Sequence, residues 1–177
     1  MADSKKVIEI IQAISKKIEE EKDYLTKLEQ PIGDSDHGIN MARGFGEVEK
    51  KLPTLEGKDI GTILKTVGMT LVSTVGGASG PLYGSAYLKA GMAAAGKEEL
   101  SMDDFIGVMK AATEAVEQRG KAVLDEATML DAMIPSLKAM EEANAGGADA
   151  KAVLDAGVKA AWAGAEHTKE LIATKGR

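Results

Sequence analysis

The chain has 177 residues, enough for one domain with a substantial core. Apolar residues make up 44% and charged residues 28%, a globular balance, and the net charge of −6 disfavours nucleic acid and anionic membranes as principal partners. The absence of cysteine excludes disulfides and thiolate metal sites and agrees with a cytoplasmic location. The charged N-terminus, MADSKKVIEIIQAISKKIEEEK, has no signal-peptide apolar region. Val7, Ile11, Ile14, Ile18, Leu25 and Leu28 form one helical stripe, with Ser4 as the expected N-cap and Pro31 closing the segment. Ile60, Ile63, Leu64, Val67, Leu71 and Val75 form a second, capped by Asp59. The uncharged run from Thr66 to Leu88 is long enough to raise a membrane question. Its internal Gly76-Gly77-Ala78-Ser79-Gly80-Pro81 could not stay satisfied in lipid, so the run reads as two helix ends joined by a glycine loop. Ser101 with Asp104 resembles a capping box leading into Phe105, Val108, Met109, Ala112 and Val116. Met129, Met133, Leu137 and Met140 continue the helical period, with a kink expected at Pro135. Val153, Leu154, Val158, Ala161, Trp162 and Ala165 make the last helix.

No segment alternates like a strand, so the fold class is all-α. Aromatic residues are only 3%, so the core must be built from Leu, Ile, Val, Met and Ala, which lets helices pack closely. Glycines gather at the expected helix junctions, at Gly33, Gly38, Gly76, Gly77, Gly80 and Gly120, where positive φ or close backbone approach is anticipated. No repeat or linker divides the chain.

The densest chemistry lies in Glu29-Gln30-Pro31-Ile32-Gly33-Asp34-Ser35-Asp36-His37-Gly38-Ile39-Asn40. Carboxylates converging at Asp34 and Asp36, with Glu29 nearby, would repel one another unless a hard divalent cation lay between them. A helix expected from about Ile39 to Lys51 would turn its first N–H groups and positive dipole end towards an anion, with His37 and Asn40 as further donors. The same residues also suit a plain helix N-cap or turn, and both readings stand on this segment alone. It is not an EF-hand, since the closing glutamate at position twelve is missing. Val75-Gly76-Gly77-Ala78-Ser79-Gly80-Pro81-Leu82-Tyr83-Gly84 can form an anion nest, with Ser79 as a donor and Pro81 opening a helix. A tight helix–helix turn is the other reading. It is neither a Walker A loop nor a dinucleotide fingerprint. An acidic protein that holds a nucleotide needs metal ions or aimed N–H groups, and these two loops offer both.

Gly33-Asp34-Ser35-Asp36-His37-Gly38-Ile39-Asn40-Met41 resembles the GDxDHGxNM signature of dihydroxyacetone kinase nucleotide domains, and the glycine loop resembles theirs. Gln118-Arg119-Gly120-Lys121-Ala122 and Thr174-Lys175-Gly176-Arg177 match as well, so the resemblance covers essentially the whole chain. The related fatty acid kinase domains carry GDTGTNM instead. The resemblance implies an antiparallel barrel of about eight helices, a single domain over residues 1–177, with the nucleotide site at one mouth. It implies ADP or ATP with two magnesium ions, the metals held by Glu29, Asp34 and Asp36. His37, Gly38, Ile39, Asn40, Ala78 and Ser79 would contact phosphates, Gly120 and Met129 adenosine, and Arg177 the nucleotide.

At this length the chain resembles the separate subunit of bacterial phosphotransferase-dependent enzymes rather than an ATP-dependent fusion. The implied partners are a dihydroxyacetone-binding kinase subunit and a phosphohistidine-carrying phosphotransferase component, in glycerol metabolism. Contact with a transcriptional regulator, or with a second copy as a homodimer, is compatible with the sequence. A nucleotide-binding regulator without turnover of its own is the competing function.

Three departures stand out. Glu29 replaces the family's aspartate, GDKTM reads Asp125-Glu126-Ala127-Thr128-Met129, and the family's lid with its DPG motif would follow Arg177, where this sequence stops. His167 is expected on a solvated helix face and Trp162 in the core. Asp125, Glu126 and Asp131 read as surface acids on a helix, and Arg119 and Lys121 as C-terminal capping residues.

Overall fold

A computed structural model describes residues 1–175 of the protein. Among these residues it has eight α-helices: α1 (Ser4–Glu20), α2 (Lys22–Glu29), α3 (His37–Lys51), α4 (Ile60–Thr74), α5 (Ser79–Ala93), α6 (Met102–Gly120), α7 (Leu130–Ala145) and α8 (Ala150–His167). Consecutive helices pack on one another, with α1 and α2 both resting on α3. This is the expected all-α antiparallel barrel. One small exception is a pair of two-residue strands, β1 (Ala2–Asp3) and β2 (Glu99–Leu100), joined antiparallel.

The first stripe is shorter than its period suggested. Backbone angles at Glu21 leave the helical region (φ −93, ψ 6), and the chain restarts there as α2. Leu28 is consequently 58% exposed. The N-cap of α1 is Asp3, not Ser4: its side chain accepts the Lys6 N–H at 2.7 Å. Asp59 caps α4 as expected, accepting the Thr62 N–H at 3.1 Å. Ser101 and Asp104 form the full capping box of α6.

The largest core cluster joins α1, α3 and α4 through residues such as Ile11, Met41, Phe45, Ile63 and Leu71. A second gathers Ala86, Val116, Ala122 and Leu130, with Leu82, Met129 and Met133 packed against it. A third, under α8, centres on Ile106, Met140 and Val153. Helices α4 and α5 meet backbone to backbone. A Cβ added at Gly68 would lie 2.8 Å from the Gly84 carbonyl oxygen, and one at Gly61 would lie 2.8 Å from that of Gly91.

Helix α7 continues through Pro135. Proline cannot donate to the Asp131 carbonyl four residues back. That carbonyl instead faces α8 at Gly164, where an added Cβ would sit 1.8 Å away. This close approach explains why the last stripe differs from expectation. Val153, Gly157 and Gly164 form the buried face of α8, whereas Val158 points outward and Trp162 is 68% exposed rather than in the core.

The Asp104 carboxyl is held down to about 2, first by its hydrogen bond with Lys97 and then by those from the Ser101 hydroxyl and N–H. A carboxyl lowered from 3.8 stabilises the fold fully above its unfolded value and loses that contribution as pH falls towards 2. In Asp104→Asn, the melting temperature should drop at pH 6, and its gap from the parent should narrow steadily between about pH 4 and 2. Thermal melts followed by circular dichroism at several pH values test this; a gap independent of pH would show that the carboxyl charge is not what caps α6.

Candidate functional site

The acidic loop connects α2 to α3, and Glu29 ends α2. One Glu29 oxygen accepts the backbone N–H groups of both Asp36 and His37, each at 2.8 Å. It therefore does the capping that the Asp36 side chain does not do for α3. Carboxylate oxygens of Glu29, Asp34 and Asp36 nevertheless lie within 4.8 Å of one another, with Asp34 and Asp36 exposed. Three hard oxygen donors this close suit a divalent cation such as magnesium or calcium. The two sequence readings of this loop thus share residues: Glu29 is both a helix cap and a member of the acidic cluster.

Ser35 adopts φ 60, the left-handed turn that brings Asp34 and Asp36 to the same side. Gly38 packs against α2 so closely that a Cβ there would stand 1.9 Å from the Lys22 carbonyl oxygen. Here the glycine is needed for approach, not for positive φ.

The glycine loop meets this turn directly. The Ser79 hydroxyl and His37 Nδ1 are 3.1 Å apart, so the first residues of α3 and α5 touch. Asn40, buried, lies beside Gly76, where an added Cβ would come within 3.2 Å of its amide nitrogen. Gly77 takes φ 64, and Gly80 backs onto the Val75 carbonyl, so the expected roles of glycine hold at these two positions. Arg43 was not anticipated from the sequence. Its guanidinium donates to Asn40 Oδ1 at 2.7 Å and to the Thr74 carbonyl at 3.1 Å, tying α3 to the end of α4. The available signal was its place one turn after Asn40 on the same helix face. Two helix N-termini, each an end of positive potential, thus converge beside three carboxylates, one of which already caps α3.

The α6–α7 loop lies against the same end. Leu82, in the first turn of α5, approaches Gly120 and also packs in the cluster that includes Met129. Gly120 itself needs neither positive φ nor unusual closeness; the left-handed residue capping α6 is Lys121, at φ 49. Asp125 and Ala127 are left-handed too, at φ 68 and 56. Asp131 is not a surface acid. It is 1% exposed, and its carboxylate accepts the N–H groups of Asp125 at 2.5 Å and Thr128 at 2.7 Å. Asp125 and Glu126 sit in the loop rather than on a helix. Glu126 accepts the Val123 N–H and the Thr174 hydroxyl, each at 2.9 Å. These bonds, with Lys175 nearby, hold its carboxyl below the ordinary glutamate value. His167, at the end of α8, stands 3.5 Å from Asp125 and 3.4 Å from Glu170. Of the residues anticipated for the site, Glu29, Asp34, Asp36, His37, Gly38, Asn40 and Ser79 are contiguous, with Ile39 and Ala78 in the same two turns. Gly120 and Met129 border them through Leu82, and Arg177 lies outside the described residues.

The DAK2 domain profile matches residues 31–177. The chain belongs to the DAK2 domain family. Its family relatives include the ADP-binding subunit DhaL of a phosphoenolpyruvate-dependent dihydroxyacetone kinase from Listeria innocua, 45% identical over 95% of this chain and 78% of the relative. The corresponding Escherichia coli subunit is 40% identical over 89% of this chain and 75% of its own length. A crystal structure of the dihydroxyacetone kinase from C. freundii, in complex with AMP-PNP and Mg2+, matches with a TM-score of 0.70 at 24% identity. That match covers 92% of this chain but only 28% of the larger kinase, and it establishes the DAK2 fold alone. Among the described residues, no helix is long and apolar enough to cross a membrane.

Gly38→Ala should force α3 away from the Lys22 carbonyl, because a backbone atom cannot yield as a side-chain tip can. The expected loss is about 1–3 kcal/mol of folding stability. Urea titration checks this, and an unchanged midpoint would mean the α2–α3 contact is looser than its geometry indicates.

Proposed function

We propose that this chain carries magnesium-bound ADP and ATP as the nucleotide subunit of a dihydroxyacetone kinase. The observation that carries this reading is the meeting of the α3 and α5 N-termini, through His37 and Ser79, beside the three clustered carboxylates. Acids would repel a polyphosphate, whereas helix N-termini attract it. The two features are compatible when cations lie between carboxylates and phosphates.

On this reading Glu29, Asp34 and Asp36 hold two magnesium ions, the number the family resemblance implies. Bound there, magnesium neutralises charge on the phosphates. The backbone N–H of His37 is already engaged by Glu29, so this residue serves the phosphates through its imidazole. Gly38 and Ile39 offer N–H groups from the opening turn of α3, and Ala78 and Ser79 do so from that of α5. Asn40, steered by Arg43, faces the glycine loop from the other side. Gly120 and Met129 border the adenosine, and Arg177 completes the set.

The protein's contribution is positioning rather than proton transfer, since the carboxylates of the loop are committed to cations. The acceptor is dihydroxyacetone held on a partner kinase subunit, and a phosphohistidine protein of the phosphotransferase system restores the spent nucleotide. Support for this division of labour comes from the relatives described as ADP-binding subunits of phosphoenolpyruvate-dependent enzymes. One domain over residues 1–177, working in the cytoplasm, fits it.

Asp34→Ala and Asp36→Ala should each abolish magnesium-dependent retention of ADP while leaving helicity intact, because removing one of several crowded acids relieves repulsion in the apo fold. Calorimetry with and without EDTA decides; unchanged affinity in both variants would falsify the metal assignment. The isolated chain given ATP and dihydroxyacetone should form almost no phosphorylated product. Addition of a dihydroxyacetone-binding subunit should allow about one transfer per bound ATP, with further turnovers requiring the phosphohistidine donor. Sustained turnover by the chain alone would mean that it holds its own acceptor site.

A further inference from the structure

Past α8 and a short 3-10 turn, the tail has little burial to hold it: Ile172 is 85% exposed. What fixes it is polar contact with the α6–α7 loop, concentrated on one residue. The Glu126 carboxylate accepts the Thr174 hydroxyl at 2.9 Å and lies 3.6 Å from the Lys175 ammonium. Its main-chain carbonyl accepts the Thr174 N–H at 3.4 Å. The same carboxylate accepts the Val123 N–H, so tail and loop share a single anchor. The loop cannot simply follow the tail outward, because buried Asp131 holds Asp125 and Thr128 from beneath.

We propose that Glu126 is a positioning residue for the adenosine side of the nucleotide, latching the tail at Thr174 and Lys175 to the loop that carries Met129. The proposal rests on the nucleotide-binding reading above. Loop and tail then form one wall rather than two independent segments. The acidic cluster is built by a different segment, on the α2–α3 loop. Loss of the latch therefore leaves the metal end intact and speeds departure of the ligand, the step in which related complexes mostly differ.

The experiment is stopped-flow displacement of a fluorescent ADP analogue, with magnesium, from the full chain and from Glu126→Ala, Thr174→Val and the double variant. Each single change should accelerate dissociation about tenfold, the scale of a lost charge-assisted hydrogen bond. The double variant should release no faster than Glu126→Ala alone, because removing the carboxylate already removes the contact with Thr174. Glu126→Gln, still able to accept from Val123 and Thr174, should recover part of the parent rate. Thr174 is on an exposed tail segment, so its variant tests the latch without threatening the core. A parent-like rate in Thr174→Val, or additive effects in the double variant, overturns the latch even if Glu126→Ala weakens binding. Failure of the parent chain to bind the analogue in magnesium overturns the nucleotide reading itself, which is a separate outcome.

Discussion

The backbone contact between α4 and α5 sets the geometry on which the rest depends. At Gly61 with Gly91 and at Gly68 with Gly84, neither helix has room for a β-carbon. Two antiparallel helices held this tightly leave only residues 75–78 to reverse the chain. The start of α5 is thereby fixed beside the end of α4, where Arg43 reaches across from α3 to the Thr74 carbonyl. Ser79 then falls within hydrogen-bonding distance of His37. A wider helix pair would need a longer loop, and the two helix N-termini would not meet.

Carboxylates aimed at backbone N–H groups recur where the chain enters a helix. Glu29 holds the entry to α3, Asp131 and Glu126 shape the α6–α7 loop, and Asp59 binds both Thr62 and Gly96. Such charge-assisted bonds are stronger than neutral ones and define loop conformations that have little apolar area of their own. Part of the protein's acidic character is therefore structural, while Glu29, Asp34 and Asp36 bring three carboxylates within 4.8 Å of one another. Glu29 connects the two uses. One of its oxygens caps α3 while the carboxylate stays within the cluster.

Much of this was legible in the residues. The Asp59 cap, the Ser101–Asp104 box and the joining of two helices at Gly76–Pro81 follow from local chemistry, which the tertiary structure did not override. The crowded acids before Ile39 and the glycines after Val75 mark two loops that the fold brings together where Ser79 meets His37. What periodicity missed were long-range terms. The outward turn of Trp162 depends on Gly157 and Gly164 meeting α7, a contact that a stripe of large apolar residues conceals. The burial of Asp131 depends on two N–H donors in a loop whose left-handed residues, Asp125 and Ala127, are not glycine. The break at Glu21 lies inside an unbroken apolar period, and no proline or glycine marks it.

The exposure of Trp162 also bears on how this molecule can be observed. It is the single tryptophan of the chain, and it already stands in water in the folded state. Its emission starts near the wavelength of a solvated indole and has little room to shift further when the helices come apart. Intrinsic fluorescence therefore reports on events at the outer surface of α8, while the cooperative loss of the barrel is seen through its helical dichroism.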